Sequence, residues 1–307
     1  MFARTGARAR GGLVHAALAL LFLSGCRELQ ARRHAREGNR LYSEGNYAGA
    51  VDQYRVAQAL APELPVITLN EGLACRQLIV PRAKSAENQK AVQCALDAFD
   101  RLKRLAPHDA RAKQLYLQTL FDADEYERLV AVYTERLQSN PSDLEAVNGL
   151  VEVYSRSDRW DDALHWMTRR AEISKNDADA QYAVGVFIWR RLFDRGGSGD
   201  RATYDPRADA GLRPVFGQDE IAGGERLRLA DQGISYLQRA LAIRPNYREA
   251  MTYLGLLYRQ RSYAFFDRPE DWLASVEAAT SWQKKSMEVA APPAALPADT
   301  AHHDGDR

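Results

Sequence analysis

Apolar and small residues along 31–289 recur with a helical period that is repeatedly broken off and restarted. From Gly38 through Tyr42, Gly45, Tyr47, Ala50, Tyr54, Ala57 and Leu60, small and aromatic positions follow one another every few residues until Pro62. Residues spaced by three or four share a helix face, and proline stops a helix because it lacks an N–H and crowds the preceding turn. Prolines then set a register. Pro107 to Pro141 is 34 residues, and a further 34 reaches Lys175, where Ser174-Lys175-Asn176-Asp177 replaces the proline turn. A fixed period of this length is the signature of a repeat architecture.

These positions resemble the tetratricopeptide repeat, a helix–turn–helix of about 34 residues with small residues, aromatics and a closing proline at set places. The small residues let two antiparallel helices approach, and the aromatics fill the gaps between them. The resemblance implies an all-α fold, an α-α superhelix or solenoid of about six units: 31–64, 65–109, 110–143, 144–177, 178–247 and 248–289. The third and fourth units are degenerate, with Leu129 beside Tyr126 and Tyr133, and Met167 beside Trp160, Ala163 and Ile173. Two intervals exceed the period, Pro62 to Pro107 and Lys175 to Pro245. In both, the second helix keeps its spacing (Ala95-Phe99-Leu102-Pro107, Gly233-Leu237-Ala240-Pro245) and the first starts in phase at Gly72 or Gly185. The extra residues, about 79–90 and 192–227, therefore fall between the two helices of one unit, where stacking surfaces are undisturbed. The sixth unit has Leu254-Gly255 and Tyr258, then a second helix from about Trp272 to Val289 whose Gln283, Lys284 and Lys285 suit a solvent-facing cap.

Ahead of the repeats, Arg4, Arg8 and Arg10 precede an apolar run from Leu13 to Leu23 broken only by His15. The run is too short for a bilayer core and has the layout of a signal peptide. Leu23-Ser24-Gly25-Cys26 resembles the lipobox of bacterial lipoproteins, which implies removal of 1–25 and acylation of Cys26, with 26–30 as a short lipid-tethered linker. Arg27, not aspartate, follows the cysteine, and by the family's sorting rule that implies the outer membrane, facing the periplasm. An ordinary signal peptide with an incidental cysteine is the other reading. Residues 290–307, rich in alanine and proline with no apolar period, read as a disordered tail.

Charge adds little. Lys+Arg number 42 against 41 Asp+Glu, so no overall field recruits nucleic acid. Chemistry is sparse too. Gly196-Gly197-Ser198-Gly199-Asp200 lacks a phosphate-reaching lysine. His15, His34, His108, His165, His302 and His303 fall in no metal-ligand spacing, and His302-His303-Asp304 is a poor cage. No cofactor, metal or catalytic residue is assigned. Cys75 and Cys94 flank the first insertion; they are either a disulfide, expected outside the cytoplasm, or two buried thiols in small-residue slots.

In tetratricopeptide solenoids the first helices line a concave face. Carried onto this chain, that resemblance marks Asn39, Tyr42, Leu69, Leu73, Gln114, Gln118, Phe121, Asn148, Glu152, Tyr182, Trp189 and Arg190 as the protein-binding groove. Amides and aromatics suit an extended peptide or a helix. The family's basic clamp for acidic C-termini is not matched, since only Asn39 fits and Ala35 replaces its lysine. The second insertion, with Arg195, Arg201, Tyr204, Arg207, Arg213 and Phe216, is long enough to contact the groove or a partner. The leading expectation is a lipid-anchored scaffold or assembly factor for an envelope complex. Two others are an envelope enzyme or its accessory subunit with the insertion forming a site, and an exported, non-lipidated ligand-binding protein.

Overall fold

A computed structural model describes residues 26–195, 221–265 and 267–289. Residues 1–25, where a signal peptide is expected, the tail with His302-His303, and most of the second insertion lie outside the described residues. Among the described residues there are twelve helices and no strand. They are α1 (26–43), α2 (Tyr47–Leu60), α3 (Pro65–Gln77), α4 (Ala86–Leu105), α5 (Ala110–Asp122), α6 (Tyr126–Ser139), α7 (Leu144–Arg156), α8 (Trp160–Ile173), α9 (Ala178–Asp194), α10 (Gly223–Ile243), α11 (Arg248–Ser262) and α12 (Pro269–Glu288). None is long and apolar enough to cross a membrane. The expected linker at 26–30 is helical and continuous with α1.

The turns repeat their hydrogen bonds. Within the first, third and fourth hairpins a left-handed residue, Gly45, Asp124 or Asp158, follows the first helix with φ of 78°, 55° and 55°. The next amide reaches back five residues along the chain: Asn46 to Leu41 at 2.9 Å, Glu125 to Leu120 at 2.9 Å, Arg159 to Tyr154 at 3.0 Å. This caps the terminal carbonyls that the helix leaves unpaired. Between hairpins, the turn at each proline is closed by bonds from the residue before it and the residue two after, as in Ala106 to Leu102 and Asp109 to Ala106. The proline's own nitrogen takes no part, so Lys175 substitutes freely, with Ser174 and Asp177 making the same two bonds. Side-chain caps from Asn46, Ser85, Asp109, Asp143 and Asp177 start the following helices.

The chain divides into two compact units, one up to Thr134 and the other from Glu135. In the first, α2 packs on α3, α3 on α4 and α4 on α5. Its core joins Tyr54, Ala57, Ile67, Ala74, Ala95, Phe99 and Leu102. Glycine is required where the helices touch: a Cβ on Gly38 would lie 2.6 Å from the Tyr54 ring, and one on Gly72 2.6 Å from the Phe99 ring. In the second unit, consecutive helices from α7 to α12 pack in turn, and α9 also touches α11, so the first helices of those hairpins stand side by side. Its core holds Val184, Ile188, Leu192, Leu229, Leu237, Leu254 and Leu257. Each unit is thus a solenoid-type stack of antiparallel hairpins.

Both insertions are partly absorbed by longer helices. Residues 86–90 of the first form the opening turn of α4, leaving 78–85 as the connection. Asn88, buried at that helix start, pins it: its Oδ1 accepts from Val80 N and its Nδ2 donates to the Ala83 carbonyl, each at 2.7 Å. In the second, α9 runs on to Asp194 and α10 begins at Gly223; between them the Ile221 amide donates to the Arg195 carbonyl at 3.0 Å. Arg226, fully buried, donates to the Ile221 carbonyl at 2.8 Å and to Gln260 Oε1 at 2.5 Å. A buried guanidinium is tolerated because its N–H groups meet acceptors.

Candidate protein-binding face

In the first unit the candidate positions form an amide-rich row. Asn39 Oδ1 accepts from the Tyr54 hydroxyl at 2.8 Å and from Asn70 Nδ2 at 3.0 Å, tying α1 to α2 and α3. Tyr42 stands edge-on to Tyr47 with centroids 5.2 Å apart, and its hydroxyl accepts from Gln77 Nε2 at 3.4 Å. Leu69 and Leu73 are half-buried and pack against the unit's core, so they present little free surface. Gln114 and Gln118 are exposed on α5, and Phe121 meets Tyr126 edge-on at 6.3 Å. Asn70 and Gln77 belong to the row but do not occupy the positions the repeat resemblance marks.

In the second unit, Asn148 is exposed and lies 3.5 Å from an Arg170 Nη; Glu152 pairs with Arg156 at 2.8 Å, one turn on along α7. The rest of the face is aromatic. Tyr182 on α9 lies against Tyr247 at 4.9 Å and Tyr253 at 5.7 Å; Trp189, two turns on, meets Tyr253 at 5.1 Å and Phe193 at 5.1 Å. Phe193 is 49% exposed. Positions 182, 189 and 193 fall on one side of α9 because they are separated by whole turns. Tyr253 comes from α11, the neighbouring first helix. Arg190, exposed beside this row, pairs with Asp194 at 3.6 Å.

One end of the row is fixed electrostatically. Asp179 takes two hydrogen bonds from Arg244, at 3.1 and 2.8 Å, and one from the Tyr247 hydroxyl at 2.6 Å. The hydrogen bonds from Arg244 and then Tyr247 hold the Asp179 carboxyl below its usual range. Burial, then the hydroxyl's bond to Asp179, raises the Tyr247 phenol well above the ordinary tyrosine value. Burial, then the proximity of Tyr253, Glu249 and Asp179, pushes Tyr182 up to about 12. The tyrosines therefore remain neutral hydroxyls near pH 7, amphipathic rings able to bury area while donating or accepting at the tip. Sequence reasoning missed Tyr253 and Phe193. The signal for Tyr253 was the side-by-side placing of first helices, which sets the sixth hairpin's opening turns against the fifth's.

Cys26 is exposed at the start of α1, and the neighbouring Arg27 donates to the Ala59 carbonyl at 3.3 Å. Cys75 and Cys94 are joined as a disulfide, with Cα atoms 5.8 Å apart. Among the described residues no three His, Cys, Asp or Glu side chains converge as a metal site.

Among the described residues the helical hairpins make an all-α fold of solenoid type, the architecture that the tetratricopeptide resemblance implies. The chain matches no family model and no curated protein. Solved structures similar to it include a tetratricopeptide-repeat protein of Bacteroides fragilis, at 18% identity over 74% of this chain and 97% of that one, TM-score 0.44. YrrB, described as a protein of this repeat class with an unusual peptide-binding site, aligns at 14% identity over 76% and 96%, TM-score 0.35. MamA of Desulfovibrio magneticus RS-1 aligns at 14% over 84% and 96%, TM-score 0.27. Likenesses this distant carry nothing about function, which has to be argued from this chain's own residues.

Proposed function

We propose that the protein is a lipid-tethered interaction scaffold of the bacterial outer envelope, held at Cys26 and binding a partner protein through the aromatic face of α9 and α11. The observation that carries the binding role is the row Tyr182, Tyr253, Trp189 and Phe193: rings in edge-on or stacked contact with one another yet left half-open, with Phe193 49% exposed. Large aromatics immobilised by their neighbours lose little entropy on binding and are the residues that dominate interface energies. The tether is supported by the lipobox-like Leu23-Ser24-Gly25-Cys26 and by the exposure of Cys26 at the first turn of α1.

Two measurements test the two halves. A photo-crosslinking amino acid at Tyr253, expressed in the native envelope, should capture a discrete partner, and Trp189→Ala should reduce that adduct at least tenfold while far-UV dichroism stays unchanged. Equal crosslinking in the Trp189→Ala background refutes the aromatic face. For the tether, Cys26→Ser should move the protein from the membrane to the soluble periplasmic fraction; retention in the membrane refutes acylation as the anchor.

A further inference from the structure

The Cys75–Cys94 bond is asymmetric in its surroundings. Cys75, at the end of α3, is fully buried, whereas Cys94 on α4 is half-exposed. Both border an open pocket of about 440 Å³ between α2, the 78–85 connection and α4, walled mainly by Val51, Leu78, Val80 and Ala91. Leu78 and Val80 are 37% and 59% exposed at its mouth. One guanidinium Nη of Arg55, from α2, lies 3.3 Å from Cys94 Sγ.

The charged contact that this sulfur makes is with a cation. From α3, Glu71 is nearly buried and is bound at 2.6 Å by Arg101 of α4; Arg55 reaches the same carboxylate only at 3.5 Å. Gln58 adds an N–H to Glu71 at 2.8 Å in the amide orientation that satisfies its neighbours. Arg101 is thus the closer partner of Glu71, and Arg55 divides its guanidinium between Glu71 and the Cys94 sulfur. Asp52 of α2 and Glu87 and Lys90 of α4 also line the pocket and complete the charged groups facing it. A sulfur beside a guanidinium is stabilised as thiolate, whereas one enclosed by apolar atoms is not.

We propose that Cys75–Cys94 is a thiol-exchange site, with Cys94 the sulfur that meets an incoming dithiol through the pocket and Arg55 the cation that holds it as a thiolate. A thiolate of the dithiol attacks Cys94 Sγ, forming a mixed disulfide; the Cys75–Cys94 bond breaks with its electron pair on Cys75, which, buried away from solvent, takes up a proton. The second thiol of the dithiol, deprotonated, then attacks its own sulfur in the mixed disulfide and expels Cys94 as the thiolate beside Arg55. The dithiol leaves as a disulfide, two electrons richer is the protein, and the second proton goes to solvent. The reductant is of the dithiol class, a small molecule or a protein Cys-x-x-Cys pair, and exchange depends on the leaving sulfur's thiolate stability as well as on access.

The test uses the whole protein reduced with dithiothreitol, desalted, and alkylated with iodoacetamide across pH, with the modified cysteine located by peptide mass spectrometry. Cys94 is expected to alkylate first, with half-maximal rate below the pH of about 8.5 at which an ordinary thiol ionises. Arg55→Gln should slow Cys94 alkylation at pH 7 several-fold, and Arg55→Lys should restore most of it. In Cys75→Ser, oxidised glutathione should form an adduct on Cys94 at native far-UV dichroism. Several outcomes overturn the proposal: Cys75 reacting first or together with Cys94, an unchanged rate in Arg55→Gln, no adduct in Cys75→Ser, or loss of helical dichroism on reduction, which would make the bond a structural staple.

Discussion

Substituting Gly72 by valine tests the contact on which the hairpin geometry depends. A Cβ at Gly72 would sit 2.6, 2.9 and 3.0 Å from three atoms of the Phe99 ring, so the closest lies about 0.8 Å inside ordinary 3.4 Å contact. Phe99 is fully buried with Ala74, Ala95 and Leu102 in one cluster, and close-packed interiors leave no free volume for the ring to retreat into. Overpacking of this kind costs about 1–3 kcal/mol. Removing a helical glycine returns up to about 1 kcal/mol when alanine replaces it, and less for valine, whose β-branch lowers helix propensity. Gly72→Ala should therefore be near neutral to 2 kcal/mol destabilising on the order of these two terms, and Gly72→Val should cost about 2–3 kcal/mol. Combining Gly72→Val with Phe99→Leu should recover part of the loss, a coupling that only touching residues show. The assay is urea unfolding followed two ways. All five tryptophans lie at Trp160 or later, so fluorescence follows the second unit while far-UV dichroism follows both. The expected result is a dichroism transition moved to lower urea with fluorescence little changed. A Gly72→Val protein with the wild-type dichroism midpoint refutes the close approach of α3 and α4.

Two further outcomes follow from the same structure. Asn88→Ala removes the two side-chain bonds that hold 78–85, and should cost about 1–2 kcal/mol and raise hydrogen exchange at Val80 by an order of magnitude or so while core amides such as Phe99 stay protected; unaltered exchange at Val80 would show that the connection is held otherwise. For pH, Tyr182 is raised in the folded protein to about 12, so its contribution is fully present below the unfolded tyrosine value near 10 and is lost as pH climbs through about 12. Tyr182→Phe should flatten the fall in urea midpoint across that window, and an identical alkaline profile would contradict the assigned environment.

The hairpins were legible because their determinants are local and paired. Gly38 faces Tyr54 and Gly72 faces Phe99 within one hairpin each, so position in the repeat reports contact in space. Helix length was less legible. A period marks where stacking surfaces recur, not where a helix stops, so it could not show Ser85 capping α4 early or α9 continuing to Asp194. Residues 26–30 likewise continue α1 as helix, with Arg27 held by the Ala59 carbonyl, where the pattern offers only a short linker. On the candidate face, Leu69 and Leu73 occupy groove positions by register but pack against the core cluster of their unit. Phe193 stood inside what reads as an insertion, and Tyr253 takes its place in the aromatic row only through the adjacency of α9 and α11. The cation beside Cys94 was beyond reach of spacing, because Arg55, Glu71 and Arg101 come from three helices.

The hydrogen bond from the Ile221 amide to the Arg195 carbonyl has a practical corollary for anyone building on this protein. It closes a doorway at residues 195 and 221: whatever chain is threaded between them starts and finishes at one spot, so its length is uncoupled from the register of α9 and α10. A short glycine bridge, an epitope tag or a reporter domain with neighbouring termini can be spliced in there, turning the fifth hairpin into a socket for cargo.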